Sequence, residues 1–250
     1  MMQYIYVIIP SYGLMAAVGA IAAICLLYYR MMVRNCLGDL TMADFVFMCL
    51  IIGAGCLLGS KFIFGLTQIP GLISDFSFSK LVNSFIFGGF VFYGGLIGAY
   101  SGVVICSAKK GLDTKALLDT ATPSFVLFHI FGRIGCLFAG CCYGFRLSSD
   151  LLIGNVRFHY FPLQAVEALF ELIMLILLEK TGMKNNKFRW YMLCYPVYRF
   201  IAEFFRGDEE RGIWFGLSTS QWISLFILSV CIVKCFFCRK NNANKPEISR

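Results

Sequence analysis

Arg199 and Glu203 stand four residues apart in an apolar stretch, so a helix there puts both on one face and lets them pair. Arg206 continues that face at i+7. Glu167 and Glu171 repeat the i, i+4 spacing in an earlier apolar run, just after Pro162 and Gln164. Arg133 follows the apolar run 125–131, with His129 one turn before it. Guanidinium groups carry planar, forked donors that match phosphate oxygens. Three of them converging on a membrane cavity need an anion, and a phospholipid headgroup is the anion at hand. For any single residue, an interhelical ion pair that only fixes packing is an equal alternative; the group together points to function. Imidazole suits proton transfer near neutral pH, so His129 is a candidate general base, against the alternative that it only hydrogen-bonds a neighbouring helix. His159, beside Tyr160 in a polar loop, reads as a surface residue.

Two further strings bear on chemistry. Tyr93-Gly94-Gly95-Leu96-Ile97-Gly98 lets backbone approach a ligand closely, or serves close helix packing through small residues. Of the 12 cysteines, Cys25, Cys49, Cys56, Cys106, Cys194 and Cys231 sit in apolar segments and read as small hydrophobes. Cys136, Cys141 and Cys142 form C-x4-C-C in a chain with only 2 histidines, which is poor spacing for a structural zinc site. Polar lining comes first for these three, a redox-labile disulfide second and a metal last.

The elements that must carry these residues are membrane helices. The 250 residues are 59% hydrophobic and 14% charged, against about 45–50% and about 25% in soluble domains. One core of this length cannot hide that excess, which excludes a soluble enzyme. The pattern predicts an all-α membrane protein of about seven transmembrane helices, at 12–29, 42–60, 84–107, 119–139, 163–179, 190–205 and 218–237. Glycines in the third make part of it a candidate broken or re-entrant helix, and 64–83 reads as an exposed loop. A single polytopic domain over 1–240 and a polar cytoplasmic tail over 241–250 complete the layout. The loops on one side carry 14 Lys and Arg and those on the other carry 6. The positive-inside rule then puts the N-terminus outside and the C-terminus in the cytoplasm. The first span lacks a basic n-region, which argues for a retained helix in a plasma (inner) membrane. Tyr28, Tyr29, Trp190, Tyr191 and Trp222 read as headgroup anchors. The net charge of +8 fits orientation and anionic lipid rather than nucleic acid.

Five blocks in order resemble the prolipoprotein diacylglyceryl transferase family. They are Ser11-Tyr12-Gly13-Leu14-Met15, then Phe92-Tyr93-Gly94-Gly95-Leu96-Ile97-Gly98, then His129 to Gly135 with Gly140 and Gly144. Pro162-Leu163-Gln164-Ala165-Val166-Glu167 and Tyr198-Arg199-Phe200-Ile201-Ala202-Glu203-Phe204-Phe205-Arg206-Gly207-Asp208 follow. The resemblance implies a seven-helix enzyme that moves the diacylglyceryl group of phosphatidylglycerol onto the lipobox cysteine of a prolipoprotein signal peptide. A thioether forms and glycerol 1-phosphate leaves, with no metal or organic cofactor, and the enzyme is expected to be a monomer. By resemblance, Arg133 and Arg199 hold the phosphate and stabilise the leaving group, and Glu203 neutralises Arg199. Tyr12, Gln164, Gly94, Gly95 and Gly98 contact the lipid, Glu167 supports them and Arg206 draws the anion to the cavity mouth. Where well-studied members carry a histidine proposed to activate the thiol, this chain has Tyr93, leaving Tyr93 or His129 as the activating group. Cys136 and Cys141 replace the usual Asn and Glu. The alternatives are a lipid- or anion-binding or transport protein on the same scaffold, or a related transferase with another acceptor.

The charge count makes the topology testable. A membrane-impermeant maleimide applied to intact cells after mild reduction should label a cysteine introduced by Ser149→Cys and spare one introduced by Lys184→Cys. The reverse pattern would turn the chain over.

Overall fold

The computed structural model describes residues 4–5, 9–74, 92–153, 156–180, 186–207 and 213–243. Its helices are α1 (Ser11–Tyr28, continued by a π-turn over Tyr29–Val33), α2 (Met42–Ser74), α3 (Phe92–Lys110), α4 (Thr114–Ala139), α5 (Leu163–Lys180), α6 (Lys187–Ala202, ending in a 3-10 turn over Glu203–Phe205) and α7 (Thr219–Ala243). Three antiparallel hairpins accompany them: β1 (Tyr4–Ile5) with β2 (Ile9–Pro10), β3 (Arg146–Ile153) with β4 (Val156–Tyr160), and β5 (Ile213–Trp214) with β6 (Leu217–Ser218). Among the described residues, the helical stretches Ser11–Val33, Met42–Leu66 and Thr114–Ala139 are long and apolar enough to cross a bilayer.

Several expectations are corrected. Residues 64–74 are not loop: α2 runs on through Pro70 and Gly71 to Ser74. The glycine string does not break α3, which is continuous from Phe92; residues 84–91 of that expected span lie outside the described residues. The polar segment around His159, expected as loop, forms the β3–β4 hairpin, with Leu151 opposite Phe158. The helix α7 continues to Ala243, into the expected tail. Tyr191 is no headgroup anchor, since only 4% of it is exposed.

Helix starts follow from their caps. Ser218 and Gln221 bond reciprocally at the head of α7, the Gln221 amide donating to Ser218 Oγ (3.3 Å) and the Ser218 amide to Gln221 Oε1 (2.9 Å). Thr41 and Asp44 do the same for α2, and the Asp113 carboxylate accepts the first free amides of α4. Pro196 removes one amide from the α6 ladder and leaves the Met192 carbonyl short of its usual donor. The Cys231 thiol of α7 donates to that carbonyl at 3.8 Å.

The chain divides into two compact units, Met1–Cys25 with Thr122–Arg250, and Leu26–Ala121. In the second, Met31, Phe45, Met48, Val103, Cys106 and Leu117 form the buried core. There α2 and α3 approach through glycines: a methyl on Gly98 would strike the Gly55 carbonyl, and one on Gly94 the Gly59 carbonyl. This is the small-residue packing that brings membrane helices together. In the first, Val126, Ile130, Ala168, Met174, Leu178 and Tyr191 form the core. A Cβ on Gly19 would lie 2.6 Å from Phe131 Cβ, and one on Gly135 would lie 3.2 Å from Tyr12 and Met15, so α1 lies closely against α4.

Gly98→Val should therefore destabilise the detergent-solubilised protein by about 1–3 kcal/mol, the usual penalty of overpacking. Gly53→Ala, at a helix position with open space around it, should leave the thermal midpoint unchanged or raise it.

Candidate active site

Burial draws several charged residues of the first unit into one network, while Lys187 pairs separately with Glu179 at 2.6 Å. Glu171 of α5 is fully buried and lies 2.8 Å from His129 Nδ1 of α4. Tyr191 of α6 donates its hydroxyl to the same carboxylate at 3.0 Å. On the other side of the ring, Arg133 Nε donates to His129 Nε2 at 3.2 Å. A guanidinium can only donate, so Nε2 accepts and the ring proton sits on Nδ1, facing Glu171. Arg133 Nη2 meets Glu167 Oε1 at 3.0 Å, and Tyr195 donates to that oxygen at 3.0 Å.

A second pair stands beside the first. Arg199 Nη2 lies 2.9 Å from Glu203 Oε2 across one helical turn and donates to Ser220 Oγ at 3.3 Å. The expected i+7 face is cut short, because the 3-10 turn ends at Phe205 and Arg206 is extended. Arg206 still reaches Glu203 Oε2, at 3.8 Å. Glu167 lies within electrostatic range of both Arg133 and Arg199, which ties the two pairs together. Arg199 and Glu203 are 6% and 8% exposed and Glu167 is 2% exposed, so these charges sit almost dry.

Six buried side-chain oxygen or nitrogen atoms have no hydrogen-bond partner among the described residues, and three of them are Arg199 Nη1, Tyr198 Oη and Gln164 Oε1. Gln164 spends its amide group on the Cys141 carbonyl. Unmatched buried donors and acceptors are costly and call for a ligand or water. Tyr12 is half-exposed and lies within electrostatic range of Arg133 and of Cys136, Cys141 and Cys142.

The segment after α4 is held by backbone bonds on two sides. The Gly144 amide donates to the Phe161 carbonyl (2.8 Å), the Phe145 amide to the Phe205 carbonyl (2.9 Å) and the Gly207 amide to the Tyr143 carbonyl (3.1 Å). A side chain at Gly207 would strike the Gly144 carbonyl, so only glycine permits this approach.

The match to known proteins is specific. The pattern described as Prolipoprotein diacylglyceryl transferase covers residues 1–237. The chain belongs to that family. It is 35% identical over 236 residues to the phosphatidylglycerol–prolipoprotein diacylglyceryl transferase of Clostridium tetani, covering 90% of this chain and 91% of that protein. It is 33% identical over 231 residues to phosphatidylglycerol–prolipoprotein diacylglyceryl transferase 2 of Clostridium perfringens, with 88% and 87% covered. The corresponding protein of Dehalococcoides mccartyi is 26% identical over 239 residues. The prolipoprotein diacylglyceryl transferase family is one of membrane proteins, in keeping with the apolar helices.

Of the residues singled out in the sequence, Tyr12, His129, Arg133, Gln164, Glu167, Arg199, Glu203 and Arg206 fall in one unit. Tyr93, Gly94, Gly95 and Gly98 fall in the other. The Tyr93 side chain lies outside the described residues. Gly94 and Gly98 are engaged in helix contact, and a Cβ on Gly95 would lie 3.2 Å from Cys56 Sγ. His159 is exposed and its Nδ1 lies 2.8 Å from Asp150. Tyr191, Tyr195 and Ser220 are network members that the sequence reading did not single out as such. A signal existed for the first two: Tyr191, Tyr195 and Arg199 recur at i, i+4 and i+8 on α6.

Removing one member of a buried pair strands the other charge. Glu203→Ala should cost about 3–5 kcal/mol of stability in denaturant unfolding. Glu203→Gln, which keeps an acceptor for Arg199, should cost clearly less.

Proposed function

We propose that the protein transfers the diacylglyceryl group of phosphatidylglycerol to the lipobox cysteine thiol of prolipoprotein signal peptides. On this reading it is a multi-pass protein of the bacterial plasma membrane that works as a monomer, with α1–α7 as seven spans, the N-terminus outside and the C-terminus in the cytoplasm. The observation that carries the reading is the Arg133–Arg199 pair, held almost dry by Glu167 and Glu203, with Arg199 Nη1 unspent.

The acceptor sulfur attacks the glyceryl carbon that bears the phosphate. A carbon–sulfur bond forms, the carbon–oxygen bond breaks, and glycerol 1-phosphate departs with the electron pair. Negative charge on the departing oxygens grows through the step. Donors already fixed around that position, in a site that excludes water, stabilise the transition state more than the ground state. Arg133 and Arg199 supply those donors. Gln164 Oε1 and Tyr198 Oη, two further unmatched atoms, suit the glycerol hydroxyls of the headgroup. Tyr12 borders the headgroup and Arg206 attracts the anionic lipid. The contact of His129 Nε2 with Arg133 gives the ring a positioning role: Glu171 fixes the ring, the ring fixes the guanidinium, and Glu167 fixes its far side. The ring has no lone pair left for an incoming thiol in this arrangement.

The test is complementation of a cell depleted of its own transferase, scored by the mobility shift of a lipoprotein. The wild-type chain should restore the shift. Arg133→Lys and Arg199→Lys should each lower transfer by roughly 10²–10³-fold while still inserting, because a point charge lacks the planar fork. Near wild-type transfer by both variants would sink the phosphate clamp. No complementation by the wild-type chain would favour a lipid- or anion-binding role.

A further inference from the structure

The turn that closes α4 gathers three sulfur atoms. Cys136 lies in the last turn of α4, Cys141 and Cys142 follow it, and their Sγ atoms all lie within 4.8 Å of one another. The linear spacing argued against a metal, but the folded turn overcomes it. Gly140 and Cys142 adopt left-handed backbone conformations (φ +71° and +59°) that fold the chain back over Cys136. Such a conformation is uncommon for a residue with a side chain and gathers at functional sites. The Cys141 amide fixes the reversal by donating to the Cys136 carbonyl at 3.2 Å.

The dimensions suit a thiolate-bound metal. Zinc–sulfur bonds of about 2.3 Å put ligating sulfurs about 4 Å apart, a spacing that small side-chain rotations reach from this cluster. Three thiolates on Zn²⁺ carry one net negative charge. Arg206 and Arg133 both act electrostatically on Cys142 and offset that charge. Three protein ligands also leave one position open, which is the arrangement of reactive rather than structural zinc. Cys141 is exposed, so the open side can be reached from outside the protein.

The chemistry of the proposed reaction gives that position a use. A thiol must lose its proton to attack carbon, and His129 has both ring nitrogens engaged. A thiol coordinated to a divalent metal is deprotonated outright. We propose that Cys136, Cys141 and Cys142 hold a zinc ion whose fourth position takes the acceptor cysteine as thiolate. This rests on the transferase reading above. The acceptor proton leaves to solvent on coordination. The sulfur then forms its bond to the glyceryl carbon as the carbon–oxygen bond to phosphate breaks, and the electron pair leaves on glycerol 1-phosphate. The product thioether is neutral and a weaker ligand, so it dissociates. No oxidation state changes.

The full-length protein, purified in detergent and incubated with Zn²⁺ before desalting, should retain about one zinc per chain by elemental analysis, completing the four-coordinate site. Cys136→Ser and Cys141→Ser should each release it, whereas Cys231→Ser should not; circular dichroism checks that each variant is folded. In cobalt-substituted protein, a lipobox peptide containing cysteine should raise the sulfur-to-cobalt charge-transfer absorbance by about a third, from three thiolates to four. The same peptide with serine should leave it unchanged. Copper in place of zinc, no stoichiometric metal, a disulfide within the cluster of transfer-competent protein, or a cobalt spectrum indifferent to the thiol peptide would each overturn the inference. Phosphatidylglycerol-dependent transfer measured in parallel separates the two readings. Full transfer after zinc removal defeats the role of zinc in activating the thiol and leaves the transferase reading standing. Zinc that takes the thiol without any transfer defeats the transferase reading and leaves the site standing.

Discussion

Charges buried out of reach of water must be compensated inside the protein, and this constraint organises the first unit. Glu167, Glu171 and Glu203 are almost wholly buried, as is Arg199. Each would be prohibitively costly alone. Alternation solves the problem: Glu171, His129, Arg133 and Glu167 form one run, and Glu203 lies between Arg199 and Arg206. The residues come from α4, α5, α6 and the turn after it, so the network dictates how those elements meet. The same compensation immobilises the guanidiniums, which on the proposed reading is what a site that stabilises a departing phosphate requires.

The second unit obeys a different rule. In an apolar setting between apolar helices, burial of hydrocarbon gives little preference for one arrangement over another, and shape decides. Glycines on α2 and α3 let the backbones touch, which fixes their register. Notably, the string that could cradle a ligand spends Gly94 and Gly98 on this contact.

Legibility in the sequence tracked locality. Helices were readable because apolar runs of bilayer length are visible in one dimension. The Arg199–Glu203 pair was readable because i, i+4 spacing is a local geometry. What failed depended on partners distant in sequence. Tyr191 looked like a headgroup anchor because it neighbours Trp190 at a span edge, and only the position of Glu171 on α5 shows why it is buried. The proximity of the three cysteine sulfurs was not legible for a related reason: spacing describes an extended chain, and left-handed residues at 140 and 142 fold it back on itself. The β3–β4 hairpin was missed because β3 (Arg146–Ile153) lacks an apolar alternation, although Val156–Tyr160 alternates strictly. The extension of α2 ran against Pro70, whose presence marked a boundary that the helix does not observe.

Pro196 divides α6 between the two halves of the network. Tyr191 and Tyr195, which bind Glu171 and Glu167, precede it, and Arg199 and Glu203 follow it. A helix lacking one rung is most easily bent at that rung. The angle at Pro196 therefore sets the span between the Arg133 arm and the Arg199 arm, much as a joint sets the opening of a pair of calipers. The bond from Cys231 to the Met192 carbonyl holds that joint from α7. On the proposed reading, α7 thus bears on the width of the anion that the two arms would grip, through Cys231 at the joint and Ser220 at Arg199.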